Sequence, residues 1–316
     1  MAKRRKPRRK REPATEEVEE ADAPEAPVEP TPRAGPRRGK PWWLIVVIGL
    51  VLGAVVWVEL SDSNDGGELE PVVEDVDVDA PPPEVEDLEV HVVHRYPHAT
   101  DAFTQGLLWH DGFLYESTGL RYRSTVREVD LETGEVRRRR SLEDRYFAEG
   151  LARVGDALYQ LTWEAGTVHV WSLSDFAHRR TFDYDGEGWG LCYDGTHLVM
   201  SDGSERLTFR DPETFHVDHV VRVRDDDGFV EHLNELECVD GVVWANVWQT
   251  DRIVRIDPVS GRVTGDVDAS GLLTLAERIG ADVLNGIAWI PERGHFVITG
   301  KEWPWLFEVD FVPAEN

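Results

Sequence analysis

Glu149 lies in the stretch "YFAEGLARVGDALYQLTWEAG", residues 146–166, with Phe147 ahead of it, a glycine behind it and Trp163 fourteen residues on. It occupies one place in a recurring pattern. Gln105, Glu149, Trp189, Asn234 and Asn285 each stand immediately before an anchor residue, respectively Gly106, Gly150, Gly190, Glu235 and Gly286. Thirteen residues beyond the anchors come Gly119, Trp163, Gly203 and Trp248, and an insertion near Pro291–Arg293 brings Lys301 to about the same level in the fifth copy. One carboxylate, three amides, three tryptophans and one ammonium thus fall at two repeat levels. A carboxylate in such a set is suited to moving a proton or pairing with an amine. Amide and ammonium donors are suited to stabilising developing negative charge. For any one of these residues the simpler role is to bind channel water or fill a gap; the coincidence of the whole set favours a site. Lys301 is also the only lysine in residues 90–316, against 21 arginines, which singles out a compact ammonium over a guanidinium.

The elements that must position these residues follow from the repeat. The copies read "TQGLLWHDGFLYEST", "AEGLARVGDALYQLT", "GWGLCYDGTHLVMSD", "LNELECVDGVVWANV" and "LNGIAWIPERGHFVITG", with anchors spaced by 44, 40, 45 and 51 residues. Each copy has a polar residue, an apolar run, an Asp-Gly-like turn and a second apolar run. Between copies lie two more alternating runs joined by turn residues, as in "LTFRDPETFHVDHVV" and "IVRIDPVSGRVTGDV". A period of 40–50 residues with four short strands per unit predicts an all-β fold, a five-bladed β-propeller. The fifth unit lacks an outer strand, so residues 88–95, "LEVHVVHR", are expected to complete it and close the ring. Residues 270–283, "SGLLTLAERIGADV", read as the one helical segment. In a propeller the first strand of each blade lines the axis, so the two levels become rings around one mouth.

Charge divides the chain. Residues 1–41 hold 12 of the 34 Lys and Arg, and residues 90–316 hold 22 against 40 Asp and Glu, a net charge of about −18. Such a surface repels phosphates and argues against nucleic-acid binding by the folded part. Residues 42–60, "WWLIVVIGLVLGAVVWVEL", are apolar for 17 positions and flanked by tryptophans, the pattern of a single transmembrane anchor. The basic side is N-terminal, so 1–41 is expected to be a disordered cytoplasmic segment and the remainder extracytoplasmic, in the periplasm or at the cell surface. A cleaved signal peptide is the competing reading, against which stand the long basic tract and the lack of an A-x-A-like site. Residues 61–87 read as an acidic, proline-rich linker, and 88–316 as the propeller domain.

Other chemistries find less support. The histidines form no ligand cluster at the two ring levels, HExxH spacing is absent, and neither a phosphate loop nor G-x-S-x-G occurs. No metal or cofactor is expected at the mouth. Cys192 and Cys238 fall two and three residues past their anchors, so their side chains should point to opposite faces; two buried thiols are favoured over a disulfide, which an exported location would permit.

The motifs "FTQGL", "FAEGL", "LTW", "GWGL", "LNELE" with "ANVWQTDRIVRIDP", then "LNGIA" and "TGKEWP" resemble, in order and spacing, the plant-type and bacterial glutaminyl-peptide cyclotransferases, across residues 95–312. The resemblance implies a five-bladed propeller that converts an N-terminal glutamine of peptides or proteins to pyroglutamate with release of ammonia, without metal or other cofactor. It places the family's catalytic glutamate on Glu149 and its pocket residues on Phe103, Gln105, Phe147, Trp163, Trp189, Asn234, Trp248 and Lys301. In that scheme Glu149 shuttles a proton, Gln105, Asn234, a tryptophan N–H or Lys301 stabilises the oxyanion, and the aromatics with Asn285 hold the substrate. The alternatives are a non-catalytic peptide-binding propeller of the cell envelope, using the same pocket, and, more remotely, a metal-dependent lactonase-like propeller. The oligomeric state is not legible.

Overall fold

The computed structural model describes residues 84–315, and every described element is a β-strand or a turn. The apolar stretch 42–60, the basic segment before it and most of the acidic stretch after it lie outside the described residues. Among the described residues no helix is long and apolar enough to cross a membrane.

The first strand, β1 (Glu86–Pro97), begins two residues ahead of the sequence-based domain boundary. The chain then builds antiparallel meanders. The first is β2 (Thr104–His110), β3 (Phe113–Thr118), β4 (Thr125–Val129) and β5 (Val136–Ser141). The second is β6 (Ala148–Val154), β7 (Ala157–Thr162), β8 (Thr167–Ser172) and β9 (His178–Asp183). The third is β10 (Leu191–Tyr193), β11 (Leu198–Ser201), β12 (Arg206–Arg210) and β13 (Val217–Arg222). An eight-stranded sheet holds the rest: β14 (Leu233–Val239), β15 (Val242–Val247), β16 (Arg252–Ile256) and β17 (Val263–Asp268), then β1, and then β20 (Trp305–Pro313), β19 (His295–Gly300) and β18 (Leu284–Ile290).

β1 pairs antiparallel with β20, as expected for a strand that completes the last repeat. It also pairs in parallel with β17 over Glu86–Glu89, which the sequence did not foretell. That second pairing fuses two meanders into one sheet and leaves neither edge open there. The innermost strands meet in a cycle: β2 on β6, β6 on β10, β10 on β14, β14 on β18, and β18 on β2. Five apolar clusters fill the gaps, each drawn from two consecutive strand groups, such as Leu191, Leu198 and Met200 with Tyr159, Leu161 and Val168.

Three of the anchor glycines, Gly106, Gly150 and Gly190, stand where the inner strands approach backbone to backbone. A methyl at Gly106 would lie 2.5 Å from the Leu151 nitrogen, and one at Gly150 would lie 2.5 Å from the Leu191 nitrogen. The fourth anchor, Glu235, is fully buried and spans the axis instead, its carboxylate accepting from Leu107 N (3.0 Å) and Ile287 N (2.8 Å).

Two expectations fail here. Residues 270–283 form turns rather than a helix. Thr274 and Glu277 cap one another, Thr274 N donating to Glu277 Oε2 at 2.9 Å, but Gly280 in the left-handed region (φ 89°) ends the segment after one turn. The Glu277 carboxylate is also drawn sideways to Arg95 and Trp305.

The second is the cysteines. Cys192 and Cys238 are joined in a disulfide with their Cα atoms 5.5 Å apart. Opposite side-chain directions on their own strands do not separate them. The β10–β13 and β14–β17 layers stack face on face, so residues that point to opposite faces of consecutive sheets point towards each other.

Candidate active site

One end of the ring of inner strands holds a cavity of about 400 Å³ lined by Phe103, Gln105, Phe147, Glu149, Trp163, Trp189, Asn234, Trp248, Gln249, Asp282, Val283 and Lys301. Six of these side chains, Phe103, Phe147, Trp163, Trp248, Val283 and Lys301, are delivered by one local device. The residue just after the second strand of a repeat donates its backbone N–H to the carbonyl of the residue just ahead of the inner strand. These bonds are Gly119 to Phe103 (2.8 Å), Trp163 to Phe147 (2.9 Å), Trp248 to His232 (2.8 Å) and Lys301 to Val283 (2.9 Å). Lys301 therefore occupies the level of Trp163 and Trp248 despite the insertion before it. Where that level carries glycine, an aromatic ring takes the space: Phe147 packs against Gly119, and the Trp189 indole against Gly203.

Glu149 sits at the floor, 4 % exposed. Its Oε1 accepts from Gln105 Nε2 at 3.0 Å, and Gln105 Oε1 accepts in turn from Asn285 Nδ2 at 3.2 Å, while the same amide donates to Thr104 O at 3.0 Å. Desolvation, the largest influence, holds the Glu149 carboxyl well above the usual carboxylate range; Lys301 pulls it down and Glu187 pushes it up. Burial lowers the Lys301 ammonium below the usual lysine range, with Glu149 and Asp282 opposing. The ammonium stands 4.9 Å from the centre of the Phe103 ring, a cation–π arrangement. A carboxyl with a raised pKa and an ammonium with a lowered one thus face the same buried space, where charge effects are strong.

The aromatics brace one another edge to face. Phe147 meets Trp163 at 5.6 Å and Phe103 at 6.0 Å, and Trp189 meets Trp248 at 5.4 Å between ring centres. Asn234 is buried with its Oδ1 unpartnered, an acceptor available to a ligand.

The structure brings nine of the ten sequence-derived residues to the cavity wall. Asn285 is the exception: it is fully buried behind Gln105 and orients that side chain. Gln105 spends an amide hydrogen on Glu149, and the Trp163 and Trp189 N–H groups both donate to Glu187 Oε2 (2.7 and 2.9 Å). Glu187 was missed in the sequence, as were Gln249, Asp282 and Val283, and the mouth is therefore not served by a single acid. The only signal was "GEGWG", in which Glu187 lies two residues from a ring tryptophan; its reach to Trp163 depends on how the two repeats pack. A groove of about 620 Å³ at the outer strands, lined by Arg140, Arg145, His169 and Trp171, contains none of the ring residues.

Comparison with known proteins points to one family. The family model described as glutamine cyclotransferase matches residues 69–311. The glutaminyl-peptide cyclotransferase of Arabidopsis thaliana is 43% identical over 234 residues, 72% of this chain and 72% of that protein. The crystal structure of Myxococcus xanthus glutaminyl cyclase superposes with a TM-score of 0.67 at 44% identity, covering 73% of this chain and 100% of that one.

Proposed function

The chain belongs to the glutamine cyclotransferase family and has its glutaminyl-peptide cyclotransferase activity, and from that premise we propose a mechanism in which Glu149 is the sole proton shuttle for cyclisation of an N-terminal glutamine. The observation that carries it is the placement of the buried Glu149, held by Gln105, in the same cavity as the Lys301 ammonium. A binding-only propeller is not favoured.

The substrate's α-amine nitrogen attacks its own γ-carboxamide carbon, forming the new C–N bond and placing negative charge on the amide oxygen. Glu149 takes a proton from the attacking nitrogen and delivers it to the departing one. The old C–N bond breaks, ammonia leaves and the five-membered lactam remains. Protons balance within the substrate, so one carboxylate suffices, worth roughly 10²–10⁴-fold. Lys301 stabilises the oxyanion, because the Gln105 amide is engaged with Glu149 and two of the tryptophan N–H groups are engaged with Glu187. Asn234 Oδ1 accepts from the substrate amine, and the aromatic walls fold the glutamine side chain toward attack. This scheme calls on no metal at the mouth.

The finer architecture belongs to the same proposal. The eight-stranded sheet counts as two blades, β14–β17 and β18–β20 with β1, giving five in all. Residues 42–60 are proposed to anchor the chain, with the catalytic domain outside the cytoplasm.

The test is ammonia release from a Gln-initiated dipeptide, with and without a strong chelator, by the parent and by Glu149→Gln. Release that survives chelation but falls at least a hundredfold in the variant is expected. Activity of the variant within a few-fold of the parent removes Glu149 as the shuttle.

A further inference from the structure

We propose that His197, Asp218 and His219, at the end of the β10–β13 sheet remote from the cavity, form a binding site for a divalent transition ion, Zn²⁺ by the chemistry of its donors. Their donor atoms all lie within 4.8 Å of one another. Asp218 Oδ2 is 2.8 Å from His219 Nδ1 and 3.6 Å from His197 Nε2. Ligand atoms at about 2.0–2.1 Å from a tetrahedral ion are about 3.3 Å apart, so these two distances bracket the requirement. Two imidazoles and one carboxylate suit zinc and its neighbours rather than calcium or magnesium, and they leave a fourth position for water.

Three features make this more than surface histidines near an acid. The first is a bulge. Asp218 and His219 are consecutive and would point to opposite faces of a regular strand. Phe209 pairs with His219 and Arg210 with Val217, so Asp218 is the extra residue and both side chains reach one side. The same bulge recurs in the other outer strands, where the extra residue is Arg137, Arg179 or Thr264, none of which favours a cation there.

The second is outer-shell support. Asp194 Oδ2 lies 3.5 Å from His197 Nδ1, the ring nitrogen that would not bind the metal. Its Oδ1 is fixed by the N–H groups of Thr196 and His197 at 2.7 and 2.6 Å. A carboxylate on the far nitrogen of a ligating histidine fixes tautomer and ring orientation.

The third is rigidity. The His219 ring stacks on Phe209 at 4.2 Å, and the His197 ring stands edge-on to both at 6.0 and 5.5 Å. The ligands join the β10–β11 turn to the outermost strand of the sheet whose inner strand, β10, has only three residues. The ion would act as a strap across that short sheet, independent of the chemistry at the mouth.

The experiment strips the full chain with chelator, then measures Zn²⁺ by equilibrium dialysis in the parent, His197→Gln, His219→Phe and Asp218→Asn. His219→Phe keeps a ring on Phe209, and cyclotransferase turnover reports folding in every variant. One equivalent of Zn²⁺ per chain, a melting temperature that rises with free Zn²⁺, and at least a tenfold loss of affinity in each variant at parental turnover are expected. No stoichiometric binding, or binding that the three substitutions leave unchanged, overturns the site and makes any zinc adventitious.

Discussion

Glu149 has lost its water, and that loss outweighs the attraction of Lys301 in setting its proton affinity. In the unfolded chain a glutamate titrates near about 4.3. The folded protein holds the proton to higher pH, so the native state binds more protons than the unfolded state across that interval. Stability attributable to this group therefore falls as pH rises through it. Glu149→Gln replaces the carboxyl with a permanently neutral group. Its melting temperature is expected to exceed the parent's by a margin that is small below about pH 4.3 and grows upward; calorimetry at acid, neutral and alkaline pH measures it, and a flat margin contradicts the assignment. Lys301→Arg keeps the charge but spreads it over a planar fork too large for the Phe103 wall. A fall in kcat/KM of about 10²-fold is expected, read by steady-state ammonia release. Glu187 holds two pocket indoles by their N–H groups. Glu187→Ala should raise KM several-fold more than it lowers kcat, whereas equal effects on both would mean that Glu187 acts on the chemistry instead.

At the scale of elements, the disulfide closes a loop with a sequence separation of 46 between Cys192 and Cys238. Chain-entropy arguments put its contribution at about 4 kcal/mol, and strain in other proteins brings the usual range to about 2–4 kcal/mol. The double variant Cys192→Ala with Cys238→Ala is expected to lose stability in that range by urea denaturation at unchanged turnover. The disulfide adds a covalent tie between the sheet holding the three-residue inner strand and its neighbour. Residues 270–283 read as helical in the sequence, yet the segment with Thr274 and Glu277 stops at one turn. Helix formation needs several turns to repay its nucleus, and here the capping glutamate is held by Arg95 and Trp305 on another strand group.

For the whole molecule, closure depends on β1. Leu88 and Tyr96 are 4% exposed, and the Tyr96 hydroxyl donates to Glu308 Oε2 at 2.5 Å. Removing β1 would open β17 and β20 at once and uncover the apolar cluster around Phe307 and Val309. A chain beginning at residue 84 is expected to fold and turn over substrate, while one beginning at residue 98 is expected to aggregate; size-exclusion chromatography with an activity assay distinguishes them. The acidic surface leaves the inner rings alone, since Glu235, Glu149 and Lys301 are all shielded from it by burial.

The repeat spacing, the closing strand and seven of the cavity residues were legible in the repeat itself, because a propeller translates a fixed period into a ring; Phe103 and Phe147 came only from the family resemblance. Side chains at one repeat position must then meet at one mouth. The level of Lys301 was read from the repeat register with an insertion near Pro291–Arg293, and the hairpin that ends there closes by the same backbone bond as its sisters. What the tertiary structure decided are contacts between repeats whose partners share no register: Glu187 bridging Trp163 and Trp189, Asn285 withdrawn behind Gln105, and Cys192 meeting Cys238 across stacked sheets. Periodicity specifies the face and level of each side chain within its own sheet. How far one sheet's side chains reach into the next depends on packing distance and twist, which no single strand encodes.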